Sequence, residues 1–379
     1  TYTKTRTWTA KDACGNVSLP VSQTVIVQDN SAPTWTTQAG TLDKTIECSD
    51  EQALANAQSL FPIANDTCDS DVSNITKVSG QFTASEGCRN AGTYTNTWTV
   101  KDDCGNTSET FTQIITIQDT TAPTWTTQAG SLDVTLECSD TEGLAAAQAQ
   151  FPAASDLCDA DVLNITKVSG QFVATEGCGN AGTYTNTWTV KDDCGNTSET
   201  FTQVITIQDT TAPTWNTQAG SLDVTLECSD TEGLAAAQAQ FPTASDLCDT
   251  HVLNITKVSG QFVASEGCGN AGTYTNTWTV KDDCGNTSET FTQIITIQDT
   301  TAPTWTTQAG TLNATLECSD TEGLAAAQAQ FPIAYDLCDT DVSNITKVSG
   351  QFTASEGCGN AGTYINTWTV KDDCGNTSE

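Results

Sequence analysis

The residues of this 379-residue chain that could do chemistry are its 17 cysteines and 47 acidic side chains, and their spacing narrows what that chemistry is. Cys48, Cys138, Cys228 and Cys318 recur every 90 residues, as do the sets starting at Cys68, Cys88 and Cys104. Cys14 is the last cysteine of an incomplete copy. A zinc site needs closely paired Cys or His, whereas the nearest cysteines within a copy lie 16 residues apart and the chain has one His. Disulfides in an oxidising, extracellular compartment are therefore expected. Enzyme chemistry is not: only His251 could act as a general base near neutrality, and Asp71, Asp161 and Asp341 take its place in the other copies. No nucleophile elbow, phosphate loop or metal-hydrolase motif is present.

Chain geometry restricts the pairing of the cysteines within a copy. Cys178 and Cys194 bracket the extended segment 183–190, whose ends lie roughly 30 Å apart at about 3.3 Å per residue, beyond disulfide reach. First-third with second-fourth, or first-fourth with second-third, remain. The former is expected, because the second and fourth cysteines occupy loops that share one end of a sandwich. The pairs are then Cys48–Cys88, Cys68–Cys104, Cys138–Cys178, Cys158–Cys194, Cys228–Cys268, Cys248–Cys284, Cys318–Cys358 and Cys338–Cys374. Each would close a loop of about 40 residues and contribute roughly 4 kcal/mol in the chain-entropy model.

The repeated carboxylates can be compared with one another, since a ligand needed in every copy should survive in every copy. Asp161 becomes His251, Asp133 becomes Asn313, and Asp103 is matched by Ala13. Three groups survive: Asp29, Asp119, Asp209 and Asp299 between copies; the loop pairs Asp66/Asp69, Asp156/Asp159, Asp246/Asp249 and Asp336/Asp339; and Asp102, Asp192, Asp282 and Asp372, with Asp12, in the hairpin loop. The last strand of one copy should end beside the loops of the next, so these groups are expected to converge on an interdomain seam. Oxygen-only ligation from loops suits Ca²⁺. No contiguous DxDxDG loop is present, and turn-capping aspartates are the alternative.

The elements that must hold these residues are mostly strands. Segment 183–192 alternates, with Tyr184, Trp188 and Val190 on one face; segment 201–209 alternates likewise, and the two read as a hairpin across CGNTS. Segments 131–138 and 163–174 are further strands, the second broken at Ser169-Gly170. Segment 139–152 reads as a short helix, with Ser139 and Glu142 as a capping box and Leu144, Ala147, Gln148 and Phe151 on its packed face. The fold class is all-β: tandem immunoglobulin-like β-sandwich domains, each with a short helix, stacked end to end into a rod. Boundaries fall at 1–30 (the end of a preceding copy), 31–120, 121–210, 211–300 and 301–379 (lacking its last strand). The chain reads as a stretch of something longer. Trp125, Trp215 and Trp305 are expected against a first strand or a neighbouring domain. A net charge of −34 disfavours nucleic acid and anionic membranes as partners, and no apolar run is long enough for a membrane span.

Four motifs together, ECSD (137–140), SDLCD (155–159), TWTVKDDCGN (187–196) and ITIQDTTAP (205–213), resemble the hyalin-repeat or HYR-like domains. The four-cysteine variety occurs in very long surface proteins of Bacteroidota, and the similarity covers the whole chain. It implies repeats of cell-surface adhesins or gliding-motility proteins exported by the type IX system, without a catalytic role. It also implies O-glycosylation at Thr120, Thr210 and Thr300, each inside a D-T-T triplet. NIT at Asn74, Asn164, Asn254 and Asn344, and NTS at Asn106, Asn196 and Asn286, fit the N-glycan sequon but are accidental in a bacterium. A structural spacer is the expected function, its partners being neighbouring repeats of the same chain. The competing readings are a repeated module that binds host or environmental glycans or proteins by avidity, and lateral self-association through edge strands.

Overall fold

The computed structural model describes residues 1–160, 162–250 and 252–378, so Asp161 and His251 lie outside the described residues. The chain falls into two compact units: Thr1–Val134 with Glu142–Phe172 and Tyr184–Ile205, and Thr135–Thr141 with Val173–Thr183 and Thr206–Glu379. Copy 31–120 lies wholly within the first unit and copy 211–300 wholly within the second.

Alternation of apolar and polar residues builds the main sheet of copy 31–120. A long strand, Cys88–Val100, runs antiparallel to a closing strand, Phe111–Gln118, with Trp98 opposite Phe111 and Tyr94 opposite Ile115. Every second residue points inward: Trp98, Val100, Phe111, Ile115 and Ile117 are all buried. Each such side chain contributes roughly 1.5–3 kcal/mol on leaving water. An opening strand, Lys44–Glu47, adds to the far side of the closing strand in parallel, Ile46 opposite Ile117. Ile75–Val78 completes the order on the other edge of the long strand, and Thr83–Ser85 also pairs with the long strand. A short ribbon of Thr34–Trp35 with Ala64–Asn65 covers the inner face, where the Trp35 ring stands 5.5 Å from Phe111. Copy 211–300 repeats this order. The architecture is all-β, tandem and immunoglobulin-like, with one short helix in each of the four copies.

Two polar residues share the buried row. Asn96 and Gln113 are opposite each other in the hairpin and fully enclosed. They are satisfied: Asn96 Nδ2 donates to Gln113 Oε1 at 3.0 Å, Gly80 N–H donates to Asn96 Oδ1, and Gln113 Nε2 donates to the carbonyls of Leu42 and Ala57. The amide pair thus ties the helix end and the start of the opening strand to the central hairpin. Gly80 marks the strand break expected there, because a Cβ at that position would sit 2.2 Å from the Thr95 carbonyl oxygen.

The helices, Glu51–Gln58, Thr141–Gln148, Thr231–Gln238 and Thr321–Gln328, fall where expected. Their cap differs. In place of the serine, the aspartate one residue later accepts the N–H three positions on: Asp50 from Ala53, Asp230 from Gly233 and Asp320 from Gly323. Both residues can cap, and the aspartate charge also favours the positive helix end. Phe151 lies beyond the helix, more than half exposed and edge-on to Trp188, while Lys167 lies over both rings.

Candidate functional site at the junction between copies

The disulfides cross from one copy to the next. Cys48 bonds Cys158, with Cα atoms 5.8 Å apart, and Cys88 bonds Cys194 at 4.6 Å. The same two rules give Cys138–Cys248, Cys178–Cys284, Cys228–Cys338 and Cys268–Cys374. The first cysteine of a copy joins the second of the following copy, and the third joins the fourth.

All eight expected pairs are therefore corrected: Cys48–Cys88, Cys68–Cys104, Cys138–Cys178, Cys158–Cys194, Cys228–Cys268, Cys248–Cys284, Cys318–Cys358 and Cys338–Cys374 do not form. The closing strand lies between the opening and long strands, which therefore stand two strand spacings, about 9.6 Å, apart. Cys48 follows directly on the opening strand and Cys88 begins the long one, too far apart for a bond. The loops of the second and fourth cysteines do adjoin, since Asp103 N–H donates to Asp69 Oδ2 at 2.9 Å and Asp193 N–H to Asp159 Oδ2 at 3.2 Å. The sulfurs of Cys158 and Cys194 bond outward, to the preceding copy. Third-to-fourth pairing, impossible inside one copy, becomes available because the partner strand belongs to another. Cys14, Cys68, Cys104, Cys318 and Cys358 are free and exposed.

Carboxylates gather at the same place. Asp119 follows the closing strand, and burial pushes its carboxyl above the usual range; hydrogen bonds from Thr121 oppose the rise, and the charges of Asp156 and Asp192 add to it. Asp209 answers in the same way to Asp246 and Asp282, and Asp299 to Asp336 and Asp372. At the first junction, Asp29 and Asp66 bring carboxylate oxygens within 4.8 Å of each other and of Cys68 Sγ. The remaining loop acids shape the backbone. Asp156 Oδ1 accepts from Cys158 and Asp159 N–H; Asp192 accepts both the N–H and the side-chain amide of Asn196. Asn196 Nδ2 also donates to the Asp119 carbonyl at 3.1 Å, linking the hairpin loop to the preceding copy. Asp69, Asp159, Asp249 and Asp339 carry the contact between loops, and Asp102, Asp282 and Asp372 repeat the role of Asp192.

Sequence reasoning missed a clip beside this cluster. The Thr120 hydroxyl and Gln118 amide donate to Glu47 at 2.7 Å and the Thr120 N–H at 3.1 Å, holding that carboxyl below its usual range. Glu137 and Glu227 are held alike. Thr120, Thr210 and Thr300, implied as glycosylation sites, each use their hydroxyl in this bond. Trp125 packs within its own copy: its ring lies 5.5 Å from Phe201 and its Nε1 donates to the Glu199 carbonyl.

Among known families, the one described as "LRR adjacent" matches residues 80–126, 170–216 and 260–311, stretches that begin 90 residues apart on the long strand's side of each copy and run through the junction. Hyalin of Strongylocentrotus purpuratus is 29% identical over 319 residues, covering 80% of this chain. The chain spans 24% of that protein's length. Drosophila N-cadherin EC1-4 aligns with 78% of this chain and 83% of its own, at 11% identity and a TM-score of 0.25. The fibronectin(III)-like modules of Clostridium thermocellum CbhA align over 47% and 94%, at 14% identity and a TM-score of 0.17. At those scores the fold assignment rests on the sheets themselves. With six disulfides among the described residues, the chain is an array of tandem repeats suited to an oxidising, extracellular compartment. No helix among the described residues is long and apolar enough to cross a membrane.

Proposed function

We propose that this chain is a spacer in a long cell-surface or secreted adhesin, non-catalytic, with hyalin-type repeats, in which the junctions rather than the domains are the engineered feature. The observation that carries this reading is the direction of the disulfides: they staple neighbours together and leave each sandwich to hold itself by its core. A binding module would need a fixed internal geometry, whereas a load-bearing array needs joints that do not slip. Similarity to hyalin supports a hyalin-repeat character, and the motifs shared with Bacteroidota surface proteins support export by a type IX route. Small-angle scattering on chains of increasing copy number tests the proposal. The maximum dimension should grow in proportion to copy number; a dimension that levels off, as in a folded-back particle, sinks it.

One observation favours adhesive binding as a second reading. Phe61, Phe151, Phe241 and Phe331 are each more than half exposed, so every copy offers the same aromatic edge. Such an edge suits an apolar partner met by avidity.

A further inference from the structure

Asp119 is 8% exposed, and only half of its carboxylate is accounted for. Oδ1 accepts from the N–H and hydroxyl of Thr121 at 3.2 and 3.1 Å, while Oδ2 is sealed from solvent and has no hydrogen-bond partner. Asp209 Oδ2 and Asp299 Oδ2 are in the same condition. An anionic oxygen removed from water without a donor is costly, and here the cost is repeated at successive junctions of one chain.

What surrounds this oxygen makes matters worse. Asp192, 4% exposed, brings a carboxylate oxygen within 4.8 Å of an Asp119 carboxylate oxygen and of Cys194 Sγ, and the sulfurs of Cys48 and Cys158 lie as close to the Asp119 carboxylate. A disulfide sulfur has no proton to donate. The ion pair recorded among the described residues, Arg89 with Asp193, is exposed. The available donors are carboxylate oxygens with peptide carbonyls at hand, which suits a hard cation; zinc would call for thiolates or imidazoles.

We propose that each junction holds a divalent cation of the Ca²⁺ type, bound first by the sealed Oδ2 of Asp119, Asp209 or Asp299, with the facing loop carboxylates, Asp156 and Asp192 at the first of these, as further ligands. The inference deepens the spacer reading and rests on it for its purpose: the cation would fix the closing strand of one copy against two loops of the next, between two disulfides that already limit their separation. Neutralisation by the ion also offsets the mutual repulsion of the three carboxylates.

The full chain, oxidised and stripped with chelator, should take up CaCl₂ in calorimetric titration with at least one equivalent for each sealed carboxylate, and melt at a higher temperature once loaded. Asp209→Asn should remove one equivalent and leave the sites of Asp119 and Asp299 with unchanged affinity, which also certifies that the variant is folded. Mg²⁺, which dehydrates reluctantly, should bind at least tenfold more weakly. Absence of uptake by the parent chain, or full stoichiometry in the Asp209→Asn variant, overturns the proposal. Scattering under the same conditions separates the two ideas, because an extended particle without Ca²⁺ uptake leaves the spacer standing and removes only the cation.

Discussion

Copies 211–300 and 301–379 share almost all of their sequence, but only the first contains a closing strand, Phe291–Gln298. With it, Val224–Glu227 forms a parallel strand; the matching stretch 314–317 forms none. The loss spreads from there. Trp278 is fully buried and Trp368 only half so; Ala237 anchors its helix in the core, whereas the helix Thr321–Gln328 buries no residue. The opening strand thus depends on the closing strand, whereas the helix forms without it and loses only its burial. Ser221 to Thr311, Asp223 to Asn313 and Val224 to Ala314 are the differences in the opening stretch; the first keeps its bond to the glutamine carbonyl, and the other two remove no partner that the closing strand would not have supplied.

The strongest way to break the contrast is to erase it. Appending TFTQIITIQDT, the sequence of 290–300, to the end of the chain should turn 314–317 into a strand, and hydrogen exchange should show its amides gaining the protection of 224–227. If they stay open, the Val-to-Ala change is the cause instead. Next in size, Ile295→Ala removes a fully buried side chain from the closing strand. It should cost about 3 kcal/mol in denaturant titration and push exchange at 224–227 toward the level of 314–317. The smallest effect concerns pH. Glu227 is held below its usual range by the Thr300 hydroxyl, the Gln298 amide and the Thr300 N–H. A depressed carboxyl contributes stability that is present above its unfolded value, 4.5, and is lost as pH falls through the folded value. Protection at 224–227 should therefore drop below about pH 4.5, and Glu227→Gln should flatten that dependence.

Much of the hairpin is legible in the sequence, since strict alternation from Tyr94 to Val100 and from Phe111 to Ile117 sets the inward row. The same parity places Asn96 and Gln113 inside, a consequence hidden by their polarity until their partners, Gly80, Leu42 and Ala57, are known from the fold. The convergence of Asp119, Asp156 and Asp192 was legible too, because loops at one end of a sandwich meet the strand entering from the previous copy. The disulfides were not. At a period of 90, every cysteine has identical counterparts one copy away, and nothing local distinguishes Cys158 facing Cys48 from Cys158 facing Cys194. The order of the strands decides it for the first and third cysteines only, by putting the closing strand between Cys48 and Cys88.

The overlap of those bonds has a consequence for cleavage. Cys48–Cys158, Cys138–Cys248, Cys228–Cys338 and Cys268–Cys374 span intervals that overlap without a gap from residue 48 to residue 374. A protease that cuts one exposed loop anywhere in that range leaves both pieces attached, since at least one bridge always straddles the nick. Separation at a single nick therefore also requires reduction of every bridge that straddles it, so the array can be cut once at its surface and still remain one molecule.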